Sequence, residues 1–240
     1  MKVLLSIFIW LCTIIMTVLV FLAVSILMLY PFDRKKKISH SMGFWWAEAI
    51  AGSNPFWKIK IEGLKNFNKQ CSYIIIANHQ SMADIALLYK THRQFKWVAK
   101  ESLFSIPVFG WCMLAMKYIK LSRGEFGSIR DTYEVAAQWL ENDISVLFFP
   151  EGTRSPSGEL SAFKNGAFKL ALKEKKPVLP ICISGSRNIL PRGSWIFRHK
   201  VYCTLRVLPA IETTDLPPDD FIALRDAARE KILAALNENE

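Results

Sequence analysis

Apolar residues follow two regimes along this chain. Residues 3–30 contain no charge at all. As a helix that run would reach roughly 42 Å, against about 30 Å of bilayer hydrocarbon. From Trp57 onward, short apolar runs alternate with amphipathic stretches. The runs at 57–61, 73–77, 95–99, 118–121, 144–148, 178–183 and 201–208 have strand length and a β-branched or aromatic bias. Between and after them, residues 83–89, 107–116, 127–141, 164–174 and 219–236 predict helices. The last opens on Pro217-Pro218-Asp219 and sets Leu224, Ala228, Ile232 and Leu236 along one stripe. Alternation of this kind predicts an α/β fold: a mixed, largely parallel sheet flanked by helices, preceded by an N-terminal membrane-associated helical segment.

The chain divides on this pattern into residues 1–56, a membrane helix or hairpin, and residues 57–240, the α/β domain. The second half of the hairpin is aromatic-rich. Phe44, Trp45, Trp46, Phe56 and Trp57 flank a Gly52-Ser53-Asn54-Pro55 break, and aromatics of this kind populate the headgroup level. Arg34-Lys35-Lys36-Lys37 follows the apolar run, with only Lys2 in front of it, so the positive-inside rule puts the catalytic body on the cytoplasmic side of a cell inner membrane. The hairpin is expected to act as an anchor separable from the catalytic part.

The formal net charge of +10 belongs to the remainder of the chain and calls for an anionic partner. An arginine-rich tail, zinc spacing and an aromatic RNA signature are all missing, so nucleic acid is not expected and an anionic membrane surface or phosphorylated substrate is. Cys12, Cys71, Cys112, Cys182 and Cys203 are isolated and odd in number, and read as free thiols. His40, His79, His92 and His199 show no ligand spacing, so no metal is expected.

Chemistry concentrates where strands end. Asn78-His79-Gln80-Ser81-Met82-Ala83-Asp84 follows the run at 73–77, with His79 and Asp84 separated by four residues. An imidazole there can take a proton from a hydroxyl if a carboxylate fixes its tautomer. The same letters also form a capping box, Ser81-x-x-Asp84, which would make Asp84 a helix-start residue. Phe149-Pro150-Glu151-Gly152-Thr153-Arg154-Ser155 follows the run at 144–148. Gly152 permits a close turn, Arg154 offers a fork for phosphate, and Glu151 is placed to orient that arginine or hold a hydroxyl. Arg123 and Gly124 follow Leu121-Ser122. Lys100 ends the run at 95–99 and is a candidate electrostatic support. Phe104, Phe109, Trp111 and Met113 are candidates to line an apolar groove.

In this order, Asn-His-x-x-x-x-Asp, Arg123, Phe-Pro-Glu-Gly-Thr-Arg-Ser and Val178-Leu179-Pro180-Ile181 resemble the glycerophospholipid acyltransferases, most nearly the bacterial 1-acyl-sn-glycerol-3-phosphate acyltransferases. The likeness covers roughly residues 57–208. It departs at Ser122, where many members carry Asp. The resemblance implies that His79 is the general base on the sn-2 hydroxyl of lysophosphatidic acid, held by Asp84. The donor would be the thioester of acyl-carrier protein or acyl-CoA, with no cofactor. Arg123, Glu151, Gly152, Thr153 and Arg154 would grip the glycerol phosphate. The alternatives are an acyltransferase for a lyso-ornithine lipid or another lysophospholipid, a hydrolase using the same pair, and a membrane-tethered lipid-binding module without catalysis.

Overall fold

The computed structural model describes residues 2–29, 31–122, 126–155 and 158–238. Arg123 therefore lies outside the described residues, although the sequence places it at the site.

All seven expected strands form, as β1 (Trp57–Glu62), β2 (Ile74–Ala77), β3 (Phe95–Lys100), β4 (Ile119–Leu121), β5 (Ser145–Phe148), β6 (Val178–Ser184) and β7 (Val201–Val207). They make one sheet in the order β1-β7-β6-β2-β5-β3-β4. The five strands from β6 to β4 are mutually parallel, and β7 pairs antiparallel to β6 while β1 pairs parallel to β7. β2 and β5 are buried at every residue, because the central strands are covered on both faces. On edge strand β1 the exposed Lys58 and Lys60 alternate with apolar residues, which discourages pairing with another chain.

The pleat sends alternate residues to two cores. Ile75, Ala77, Leu147, Leu179, Ile181 and Ile183 enter one core, together with residues from α1 (Lys2–Met28), α2 (Lys37–Gly52), α3 (Ala83–Tyr89) and α4 (Phe109–Ala115). Ile74, Ile76, Val146, Phe148, Val178 and Cys182 enter the other, under α5 (Phe126–Glu141), α6 (Gly166–Lys173) and α7 (Phe221–Asn237). The result is a three-layer α/β sandwich.

Helix α4 starts two residues later than the pattern predicts. Val108 has φ 63, and the Phe109 N–H closes a tight turn onto Pro107 O at 2.7 Å, so a helix cannot pass through this position.

Helix α1 is long and apolar enough to cross a membrane. It does not stand apart from the rest of the chain, however. It packs along α2 and α4 and contributes Ile9 and Val24 to the first core. Ser6 Oγ accepts the Phe197 N–H at 2.9 Å, Trp10 Nε1 donates to Trp195 O at 2.8 Å, and Trp46 Nε1 donates to Thr17 Oγ1 at 3.0 Å. Thr13 and Thr17 also donate to the carbonyls one turn back, Ile9 O and Thr13 O, at 2.8 and 2.7 Å. These hydroxyls thus cost the helix no unsatisfied polar group. The opposite face, including Leu4, Phe8, Leu11, Ile15, Leu19, Leu22 and Ile26, is exposed.

The boundary near residue 56 falls between α2 and β1, and one hydrophobic core runs across it. One expectation for this segment is corrected. Of the five aromatics expected at headgroup level, Trp45 and Phe56 are exposed, whereas Phe44 and Trp46 pack inward and Trp57 is buried.

Candidate active site

Five strands deliver their C-terminal ends to one edge of the sheet, where ligands of α/β proteins collect. Asn78 follows β2 directly, and its side chain continues the sheet. Nδ2 donates to Ile183 O at 2.8 Å, and Oδ1 accepts the Ile183 N–H at 2.7 Å. This bidentate clasp on β6 fixes the point from which the chain turns to His79.

Both backbone polar groups of His79 are held by the loop after β5. Its N–H donates to Glu151 Oε1 at 2.7 Å, and its carbonyl accepts the Ser155 N–H at 2.9 Å. The imidazole stacks on Phe149, with centroids 4.0 Å apart and planes 21° from parallel. Nδ1 lies 2.7 Å from Asp84 Oδ2. The same oxygen accepts the N–H groups of Gln80 and Ser81 at 2.7 and 2.9 Å. An oxygen facing two backbone donors is an acceptor, so the third partner must donate. That assigns the proton to Nδ1 and leaves the lone pair on Nε2.

Asp84 is fully buried, and His79 keeps 19% of its side chain exposed. One oxygen of Asp84 thus meets both the imidazole and the backbone N–H groups just ahead of α3, whose N-cap, Met82, has no side-chain cap. The other oxygen of Asp84, Oδ1, is buried without a hydrogen-bond partner.

Glu151 is also buried, and its second oxygen accepts the Ser161 N–H at 3.0 Å. Burial raises its pKa, and the hydrogen bonds from His79 and Ser161 offset part of that rise. Both carboxylate oxygens are therefore directed at backbone. Glu151 is a strut between the two strand-end loops, a role its sequence position did not suggest. Gly152 has φ +76, a conformation that side chains with a Cβ rarely adopt.

His79 lines a cavity of about 960 Å³ shared with Lys100, Gly152, Thr153, Arg154, Lys164 and Arg192. Its walls include Trp10, Thr13, Thr17 and Val18 from α1, and Trp46 and Ile50 from α2. The hairpin is thus a wall of the site. Of the four residues expected to line an apolar groove, Phe109 lines this cavity. Phe104 and Met113 are buried in the core, and Trp111 packs against Phe21 of α1, centroids 5.7 Å apart. Ser122 donates to Glu101 Oε2 at 2.5 Å. Among the described residues, no three His, Cys, Asp or Glu side chains gather as a metal site would require.

The sequence profile described as Acyltransferase matches residues 58–184, just over half of the chain and the span that carries β1 to β6 and both strand-end loops. The chain belongs to the acyltransferase family. Its similar proteins include the chloroplastic 1-acyl-sn-glycerol-3-phosphate acyltransferase LPAT1 of Arabidopsis thaliana, 37% identical over 72% of this chain and 50% of that protein. A Chlamydomonas reinhardtii 1-acyl-sn-glycerol-3-phosphate acyltransferase is 33% identical over 85% of this chain and 60% of its own length. The chain therefore spans about half to three-fifths of these relatives. The crystal structure of the 1-acyl-sn-glycerophosphate acyltransferase PlsC from Thermotoga maritima superposes with a TM-score of 0.85 at 26% identity, covering 99% of this chain and 95% of that one. That match takes in the N-terminal hairpin as well as the α/β part, so the hairpin belongs to the shared architecture.

Proposed function

We propose that this chain is a 1-acyl-sn-glycerol-3-phosphate O-acyltransferase, which moves a fatty acyl group from acyl-carrier protein or acyl-CoA to the sn-2 hydroxyl of lysophosphatidic acid and so forms phosphatidic acid for phospholipid synthesis. The observation that carries this reading is the His79–Asp84 pair at 2.7 Å, opening on a cavity with apolar walls and a cationic side. Nε2 of His79 takes the proton of the acceptor hydroxyl as its oxygen attacks the thioester carbonyl, and Asp84 stabilises the imidazolium that forms. When the tetrahedral adduct collapses, the C–S bond breaks and the imidazolium returns its proton to the departing thiolate. A thioester is already activated, so the residues present suffice and no cofactor is invoked.

Arg154 supports headgroup recognition, since it lines the cavity and is in no ion pair among the described residues. Arg123, Thr153 and Lys100 are assigned to the same cationic side from the sequence, and Lys100 and Thr153 line the cavity. The exposed apolar face of α1 and the run Arg34-Lys35-Lys36-Lys37 favour an anionic membrane surface, with the site on the cytoplasmic side of the inner membrane.

The test is thiol release by purified protein from acyl-CoA and acyl-carrier protein thioesters, each with lysophosphatidic acid, a lyso-ornithine lipid, lysophosphatidylglycerol or no acceptor. Release that requires lysophosphatidic acid is the expected result. Equal release without any acceptor would identify a hydrolase, and none with any acceptor would leave a binding module.

A further inference from the structure

Lys164 closes the loop between β5 and α6, ten residues beyond Arg154, and it reaches the same site. Its N–H donates to Pro150 O at 2.9 Å, which ties the residue to the turn after β5. Its side chain then runs across Gly152. A Cβ added to Gly152 would lie 2.9 Å from both Cε and Nζ of Lys164. Glycine at this position thus answers two demands, the left-handed backbone and the path of the lysine stem.

Lys164 lines the His79 cavity, as do Gly152 and Arg154. Neither cation is in an ion pair among the described residues. Glu151, three residues before Arg154, is committed to the N–H groups of His79 and Ser161. Two cations left uncompensated in one cavity attract a doubly charged anion. One supplies a planar fork and the other a compact point charge.

We propose that Lys164 is a specificity-determining residue for the acceptor, binding its terminal phosphomonoester together with Arg154, and that Gly152 is glycine so that the lysine can pass. The proposal rests on the reading of the acceptor as lysophosphatidic acid. The lysine is the element that separates a phosphomonoester dianion from an acceptor without phosphate.

The experiment measures kcat and KM of the full-length protein with acyl-CoA, using lysophosphatidic acid and an uncharged monoacylglycerol as acceptors. Lys164→Met should raise KM for lysophosphatidic acid roughly tenfold, with KM for acyl-CoA changed less than about twofold. Lys164→Arg should recover part of the loss. Gly152→Ala should reproduce it in part, and the double variant Gly152→Ala/Lys164→Met should be less impaired than the two single effects multiplied, because both act on one contact. A wild type that discriminates between the acceptors while Lys164→Met keeps its KM overturns the proposal alone. An equal rise in KM for acyl-CoA also overturns it and moves the lysine to the donor's phosphates. A wild type that takes both acceptors equally overturns the acceptor assignment itself, and this proposal with it.

Discussion

His79 and Asp84 sit in hydrogen bonds drawn from the ends of β2 and β5, with Asn78 clasped to β6, while Arg154 and Lys164, which line the same cavity, are in no ion pair among the described residues. Each polar backbone group of His79 has a partner within the chain, and its ring is pressed against Phe149. The two halves solve different problems. Proton transfer needs a donor and acceptor fixed to a fraction of an ångström before substrate arrives. Binding a dianion needs charge that the protein has not already neutralised. On the proposed reading, hydrogen-bond saturation separates the residues that act on the reaction from those that hold the substrate. Glu151 is the instructive case, because its place in the sequence groups it with Arg154 while its contacts group it with His79.

The division breaks most visibly at the dyad. His79→Ala should lower kcat by roughly 10²–10⁴-fold with the protein still folded. Asp84→Asn should come close to that loss, because a neutral amide cannot stabilise the imidazolium. Single-turnover acyl transfer checks both, and near-normal turnover in Asp84→Asn would reduce the residue to an acceptor for backbone N–H groups. Next in size is Glu151→Gln. Glutamine supplies one acceptor where two N–H groups wait, so the His79 loop should shift and kcat fall roughly 10–100-fold, with KM for lysophosphatidic acid little changed. A rise in KM without loss of kcat would return Glu151 to the substrate-gripping group. Arg154→Ala should do the reverse, raising KM for lysophosphatidic acid about tenfold or more while kcat with saturating acceptor stays nearer to wild type. Steady-state kinetics against both substrates separates these two outcomes.

The smallest effect lies outside the site and serves as a control. Lys96 is 1% exposed, and its Nζ donates to Met116 O at 2.6 Å under the rings of Trp139 and Tyr118. Burial lowers its pKa to about 7, with Asp33 opposing the shift and Lys117 and Lys36 adding to it. Between pH 7 and the ordinary lysine value the unfolded chain binds the extra proton, so stability rises with pH across that window. From pH 7 to 9 the gain should be roughly 2 kcal/mol. Denaturant midpoints in detergent should show it for the wild type and lose it in Lys96→Met, which should leave the kinetics of acyl transfer unchanged.

Much of this was legible in the chain itself. Central strands covered on both faces must be apolar at every residue, so β2, β5 and β6 appear as unbroken runs, and the dyad follows from the spacing after one of them. The antiparallel entry of β7 was not legible, because a strand's direction leaves no mark on its side-chain alternation. The packed face of α1 was hidden for a related reason. In a helix apolar on every side, no hydrophobic stripe marks the face that turns inward. Small and hydroxyl side chains mark it instead, Ser6 and Thr17 taking the hydrogen bonds to Phe197 and Trp46. Lys164 was missed because the apolar pattern assigned it to the helix over 164–174, whereas α6 starts at Gly166; the positive φ at Gly152 and the lysine stem above it are visible only in three dimensions.

Helix α1 is at once the most lipid-like surface of the molecule and a wall of the chamber that holds His79. Removing the helix would therefore unroof the chamber. On the proposed reading, the governing concentration is the mole fraction of lysolipid in the bilayer surface. Diluting the acceptor with inert detergent at constant bulk concentration should slow turnover, whereas diluting the whole suspension should not.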